Sequence, residues 1–192
     1  MRFLNIESIQ YESRKNLVIV DFEENYLMDE LKRERKLNSS PAQILDNDQS
    51  VINVNERSAR SMVLKDVQLT NLFPDVQLIL CTYWTEIDQG EHQFSAVNLV
   101  KYLKNDFYRP HYDSKFEGNA NLRVLTFVYF FTAKNLQGGN LLIYPQGEKI
   151  AFSIKPKPGR MLIFPSDTLH EVEEVLLGER ESLVCWLERK KK

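Results

Sequence analysis

Cysteine and histidine are both scarce in this chain, with two of the first and three of the second in 192 residues. Cys81 and Cys185 lie far apart with no C-x-x-C spacing, which argues against a disulfide framework and fits a reducing, cytoplasmic setting. Each sits in an apolar run, "LILCTY" and "SLVCWL", so both are expected to be packed in the interior. Long hydrophobic runs are missing as well. No stretch approaches the roughly 18 apolar residues of a membrane span. The opening "MRFLNIESIQYESRKN" carries acidic residues and no apolar core, so it does not read as a signal peptide. Excess charge of one sign is the third absence. Twenty-five basic residues against 27 acidic ones give a net charge of −2. That balance provides no general attraction to nucleic acid or to an anionic membrane. The basic end "ERKKK" reads as a solvated terminus. No internal repeat and no low-complexity segment is visible.

What remains is an ordinary globular composition, 43% hydrophobic and 27% charged, with enough chain for one domain and a full core. "NLVIVDF" (16–22) has the character of a buried strand. "EENYLMDELKRERK" (23–36) reads as a charged helix with a narrow stripe of Leu27, Met28 and Leu31. Residues 37–60 are polar and read as a long excursion. Apolar residues at 73, 76, 79, 80, 83, 84 and 87 have helical spacing, and Pro74 suits a first turn. From residue 94 the pattern changes to short β-rich runs: "FSAVNLVKYL", "NLRVLTFVYFF", "GNLLIYP", "KIAFSIK", "GRMLIFP", "HEVEEVL" and "ESLVCWL". Between them stand "EGNA", "NLQGG", "PQGE", "KPKPG" and "LLGER" as breaks. Closely spaced short strands predict a mainly β protein with N-terminal helices. The core expected over 94–188 is a jelly-roll, a double-stranded β-helix of cupin-like type. Residues 1–93 are expected to be its helical or mixed support, within one domain spanning 1–192.

The chemistry concentrates around "FYRPHYDS" (107–114). Alternate residues of a strand share a face, so His111 and Asp113 aim an imidazole and a carboxylate at one point. A jelly-roll brings late strands beside early ones, which lets His170 of "FPSDTLHEVEEV" join them. Two histidines and one carboxylate on one face of iron make a facial triad with open positions for a chelating keto-acid and O2. In "GERES", Arg180 and Ser182 share a strand face, on a strand expected next to that of His170. An arginine gives a bidentate, permanently charged match to the far carboxylate of a dicarboxylic keto-acid.

With these residues in place, the segment 94–188 resembles the prolyl-4-hydroxylase-like 2-oxoglutarate and Fe(II)-dependent dioxygenases. The matching stretches are "NLVKYLKNDFYRPHYDS", "LRVLTFVYFF", "GGNLLIYP", "IKPKPGRMLIFPSDTLHEV" and "GERESLVCWL", in the family's order. The resemblance implies that His111, Asp113 and His170 ligate Fe(2+) and are catalytic. It implies that Arg180 and Ser182 meet the distal carboxylate of 2-oxoglutarate, with Tyr102 and Thr126 lining the same cosubstrate pocket. It further implies O2 as co-reactant, with ascorbate as an accessory reductant, and oxidative decarboxylation of 2-oxoglutarate coupled to hydroxylation of an unactivated C–H. The carboxylate of Asp113 fits hydroxylation, because a small residue there would leave room for a halide. Two positions depart from the family pattern. Phe130 stands where many relatives have a tyrosine, and "GGNL" lacks the acidic residue that usually follows the glycine pair.

The sequence leaves two other readings open: a jelly-roll binding module without turnover, and a cupin-type metalloenzyme that does not use 2-oxoglutarate. It also leaves open the substrate, a small molecule or a peptide or protein side chain, and the oligomeric state. Segments 37–66, 86–93 and 114–121 are where loops over a rigid barrel are expected to select the substrate. His92 receives no role.

Overall fold

The computed structural model describes residues 6–22, 40–42, 44–46, 49–51, 53–64, 69–87, 91–114, 116–117, 120–146 and 150–190. Two antiparallel sheets dominate these residues. The larger has nine strands in the order β1 (Ile6–Glu12), β2 (Leu17–Phe22), β16 (Arg160–Pro165), β13 (Arg123–Gly138), β18 (Val175–Arg189), β9 (Val97–Tyr102), β7 (Arg60–Leu64) and β3 (Ser40–Pro41), with β8 (His92–Phe94) also on β18. The smaller has five: β15 (Phe152–Ile154), β14 (Leu141–Tyr144), β17 (Leu169–Val172), β10 (Phe107–His111) and β6 (Arg57–Ser58). Two small hairpins, β4 (Ile44–Asp46) with β5 (Gln49–Val51) and β11 (Phe116–Glu117) with β12 (Ala120–Asn121), stand apart. This is the double-stranded β-helix anticipated from the strand spacing.

The central strands read as unbroken apolar runs because both of their faces are covered. Along β13, Phe127, Tyr129 and Phe131 enter one core cluster, while Val128 and Phe130 enter the other. β2 and β16 divide the same way, with Val18, Val20, Met161 and Ile163 on the first side and Leu17, Ile19, Leu162 and Phe164 on the second. The second cluster fills the space between the sheets. The first is capped by α1 (Leu69–Leu72) and α2 (Val76–Tyr83). The helical spacing seen in the sequence is borne out here, since Val76, Ile79 and Leu80 form the buried face of α2. Phe73 packs between Phe22 at 5.1 Å and Tyr129 at 4.9 Å. Pro74 falls between the two helices rather than in the first turn of α2.

Several expectations are corrected. The described part of the front half is mostly strand, and β1, β2, β3 and β7 extend the same sheet as the core strands. The helix expected over 23–36 lies outside the described residues. Cys185 is buried, and burial pushes its thiol up to about 11, but Cys81 is exposed on α2, next to its packed face. β13 continues into "NLQGG" as far as Gly138, and "LLGER" lies wholly within β18. β13 and β18 stay paired there with register shifts. Asn135 (φ 48°) and Gly178 (φ 79°) adopt left-handed backbone there. A Cβ on Gly178 would lie 2.2 Å from the Lys134 carbonyl oxygen, so only glycine lets the two backbones approach so closely. The turn residues thus encode a bulge that bends two long strands.

Candidate active site

Pairing between β10 and β17 sets His111 directly opposite His170. Their rings lie 4.2 Å apart between centroids. β10 ends at His111, so Asp113 is not carried on the strand face as expected but on the segment just beyond it. That segment turns back far enough to bring Asp113 Oδ1 within 3.6 Å of His111 Nε2 and Oδ2 within 3.5 Å of His170 Nε2. One ligand atom from each of the three residues lies within 4.8 Å of the others.

Each imidazole is oriented from behind by the same local device. His111 Nδ1 meets the carbonyl oxygen of Arg109 at 2.8 Å, and His170 Nδ1 meets that of Thr168 at 2.8 Å. A carbonyl can only accept, so each Nδ1 carries the proton and each Nε2 turns a lone pair toward the centre. Burial, reinforced by His170, lowers the His111 imidazole to about 4, which keeps it neutral. Two neutral nitrogen donors and one carboxylate, all aimed at one point, suit a divalent first-row metal such as Fe(II).

Asp113 is itself held in place. Thr126 Oγ1 donates to its Oδ2 at 3.0 Å, and Ser166 Oγ lies 3.0 Å from Thr126 Oγ1. Arg123 Nη1 donates to its backbone carbonyl at 3.3 Å. Thr126 was expected on the pocket wall beside the cosubstrate. Instead it is fully buried behind Asp113, so its contact is with the ligating residue.

The three metal-ligating candidates open into a cavity of about 1030 Å³, also lined by Tyr102, Arg180 and Ser182. Arg180 comes from the opposite sheet. β18 faces β17 across the sandwich rather than lying next to it, which corrects the arrangement expected from the sequence. The alternation along β18 is as read, since Arg180, Ser182 and Val184 all reach the cavity. Arg180 is 1% exposed. Its Nη1 donates to the Gly139 carbonyl at 2.6 Å and its Nη2 to Ser182 Oγ at 3.2 Å, while Nε has no partner. The guanidinium carbon lies 5.1 Å from the Tyr102 ring centre and 5.0 Å from that of Phe130. Among the described residues Arg180 meets no carboxylate, and burial lowers it to about 10. A buried guanidinium with an unused donor, on the wall of a cavity, suits the distal carboxylate of a dicarboxylic ligand.

Residues 97–188 match the family model of the 2OG-Fe(II) oxygenase superfamily. Within the curated proteins, the chain is similar to a PKHD-type hydroxylase of Parvibaculum lavamentivorans, 30% identical over 95 residues, 49% of this chain and 42% of that protein. A PKHD-type hydroxylase of Synechococcus sp. is 37% identical over 102 residues, covering 50% and 45%. The chain therefore spans less than half the length of the curated relatives it matches. Among solved structures, a prolyl-4-hydroxylase of Pseudomonas putida superposes with a TM-score of 0.66 at 18% identity, covering 98% of this chain and 94% of that one. A prolyl hydroxylase of Trichoplax adhaerens, in complex with a hypoxia inducible factor peptide fragment, gives 0.65 at 19%, covering 91% and 84%. These likenesses show a shared fold across nearly the whole chain.

Four further residues on the cavity wall were not picked out from the sequence: Arg57, Tyr108, Arg123 and Trp186. Arg123 stacks on Trp186 at 3.7 Å and pairs with Glu188 at 3.2 Å. Tyr108 had a signal, since it shares the His111 stretch. Arg57 had none, because it lies in the polar excursion over 37–60.

Proposed function

We propose that the chain is a 2-oxoglutarate- and Fe(II)-dependent hydroxylase. It converts an unactivated C–H of an amino-acid, peptidyl or small-metabolite substrate to C–OH, using O2 and 2-oxoglutarate and releasing succinate and CO2. The observation that carries this reading is the sharing of one cavity by a His-Asp-His donor set and a buried arginine that meets no carboxylate among the described residues.

In this reading His111 and His170 hold the metal through Nε2, and Asp113 through its carboxylate. Bound together, iron and 2-oxoglutarate supply the O2 chemistry that no side chain can supply. The chain does the positioning. Arg180 and Ser182 take the distal carboxylate, and the rings of Phe130 and Tyr102 flank the guanidinium and exclude water from it. The backbone carbonyls of Arg109 and Thr168 keep both imidazoles in the metal-binding tautomer. The cavity has room for a substrate side chain beside the cosubstrate. The peptide held by the Trichoplax hydroxylase supports testing peptide as well as small-molecule substrates here. The unbridged cysteines fit work in a reducing, cytoplasmic setting. Among the described residues no helix is long and apolar enough to cross a membrane.

The experiment is release of succinate from 2-oxoglutarate with Fe(II) and O2, with and without candidate substrates. His111→Ala and Asp113→Ala should reduce turnover at least about a hundredfold. Arg180→Ala should raise the KM for 2-oxoglutarate by about tenfold or more. A folded sample that neither takes up Fe(II) nor forms succinate above the blank would end this reading. Stoichiometric metal and 2-oxoglutarate binding without O2 consumption would favour a binding module instead.

A further inference from the structure

Tyr108 and His111 are three residues apart on β10, a spacing that puts side chains on opposite faces of a regular strand. β10 is not regular there. Tyr108 pairs with Val172 and His111 with His170, so β10 takes three steps where β17 takes two. The extra residue makes a bulge, and Pro110, which has no N–H to give a ladder, lies within it. The bulge turns both side chains to one face, and the Tyr108 ring stacks on the His111 imidazole at 3.4 Å with a 17° tilt. With that face of the phenol taken, the Arg57 guanidinium, its carbon 4.5 Å from the ring centre, covers the other. Arg57 opens β6, the edge strand of the smaller sheet, directly opposite Tyr108. Its backbone is fixed independently. Ser58 Oγ donates to Asp106 Oδ1 at 2.5 Å, and the other Asp106 oxygen accepts the Leu103 N–H at 2.8 Å, which ties β6 to the turn between β9 and β10. The Arg109 N–H donates to the Glu56 carbonyl at 2.8 Å, which ties β6 to the bulge itself.

The two imidazoles of the site are held in different ways. The His170 side chain is 5% exposed, with the Phe164 ring edge-on at 5.0 Å. Its surroundings fix its plane. The His111 side chain is 15% exposed, and the Nδ1 hydrogen bond to Arg109 anchors only one atom of its ring. The ring can still pivot about that bond, and Nε2 swings with it. A flat neighbour stops the pivot, because tilting the imidazole drives its edge into the stacked ring. The phenol can serve as that wall only if it does not tilt away in turn, and a cation over its outer face resists the tilt. We propose that Arg57 is a positioning residue for the metal: it presses Tyr108 flat against His111, and the stacked ring keeps the imidazole in the plane that aims Nε2 at the ion. The inference rests on the functional reading above. It extends the support of the ion to edge strand β6, outside the residues 97–188 that match the oxygenase model.

The test is titration of the full chain with Co(II), followed through the visible absorption of the bound ion, which reports coordination geometry as well as occupancy. Tyr108→Leu should weaken Co(II) binding about tenfold and change the shape of the band. Tyr108→Phe keeps the ring and should keep both the affinity and the band. Arg57→Gln should weaken binding about threefold, with a smaller change of the band in the same sense. The variant carrying both Tyr108→Leu and Arg57→Gln should bind no more weakly than Tyr108→Leu alone, because Arg57 acts through the ring. Wild-type affinity and band in Tyr108→Leu or in Arg57→Gln would overturn the proposal, even if Tm fell, since a ring that only packs would lower Tm and leave the ion unchanged. Loss of affinity in Tyr108→Phe would overturn it too, by assigning the effect to the hydroxyl, and so would multiplied losses in the double variant. Should Tyr108→Leu fail to fold, Arg57→Gln and Tyr108→Phe decide. A wild-type chain that takes up no Co(II) would instead remove the functional reading on which the proposal rests.

Discussion

Asp113 sits past the end of its strand, where a backbone is usually free to move, yet it is tied at two atoms. Thr126 and Arg123, both from β13, hold its carboxylate and its carbonyl. The Thr126 proton is spent on Asp113, so Ser166 must be the donor in the contact between the two hydroxyls. Partners behind a metal ligand affect affinity nearly as strongly as the ligand itself. Thr126→Val keeps the shape and removes the hydroxyl, leaving Asp113 short of one bond. Its expected effect is a loss of about tenfold in Fe(II) or Mn(II) affinity, with a far-ultraviolet circular dichroism spectrum like that of the wild type. Metal affinity within twofold of the wild type would show that Asp113 is placed without the Thr126 hydroxyl.

At the scale of elements, the long strands β13 and β18 carry much of the architecture, and their shared bend depends on Gly178. Alanine there has both an unfavourable backbone conformation and a Cβ that meets a carbonyl oxygen. Gly178→Ala is expected to destabilise the fold by about 2–3 kcal/mol. Arg180 lies two residues further on, so affinity for 2-oxoglutarate should fall as well. Thermal unfolding and calorimetry read the two effects separately.

β2 is tied to β16 differently, through Asp21 opposite Arg160. Arg160 donates to both oxygens of Asp21, at 2.7 and 2.8 Å, and Lys157 adds a contact at 3.1 Å. The Arg160 hydrogen bonds hold the Asp21 carboxyl below its ordinary 3.8 despite partial burial, which acts the other way. A carboxyl depressed in the folded state stabilises the fold fully above its unfolded value. That contribution disappears as pH falls through the lower folded value. Unfolding free energies of Asp21→Asn and wild type should therefore differ by about 2 kcal/mol near neutrality and converge as pH falls through the lowered folded value of Asp21. A constant difference across that range would remove Asp21 from the acid response.

The strand content was legible because apolar runs bounded by turn residues admit few alternatives, and the triad and Arg180 were legible through their spacing along strands. The long strands were not, because Gly178 and Gly138 look the same in a bulge as in a turn. Asp113 was placed on a strand face when it lies beyond it, because two-residue alternation says nothing of where pairing stops. Arg57 left no trace, since a polar stretch without periodicity does not reveal that one of its residues pairs with β10.

For the whole molecule, the site draws on both sheets, so ligand binding is linked to the assembly of the fold. Metal and cosubstrate that bind only the folded chain add stability in proportion to the logarithm of their concentration. At a hundred times the dissociation constant the gain is about 2.7 kcal/mol, or roughly 5–10 °C in Tm for a domain of this size. Mn(II) with 2-oxoglutarate should raise Tm by that amount, and excess chelator should reverse it. His111→Ala should abolish the shift, while an undiminished shift in that variant would place the metal elsewhere.

The face-to-face pairing of His111 with His170 has one further consequence. Because side chains alternate, sliding β10 by a single step against β17 would swing an imidazole to the far side of the sheet. A chain zipped one notch out of line could still bury oil and satisfy most of its backbone, yet it would have nothing to grip an ion with. An ion held by these residues would thus proofread the alignment of the two strands, rewarding only molecules that closed in step.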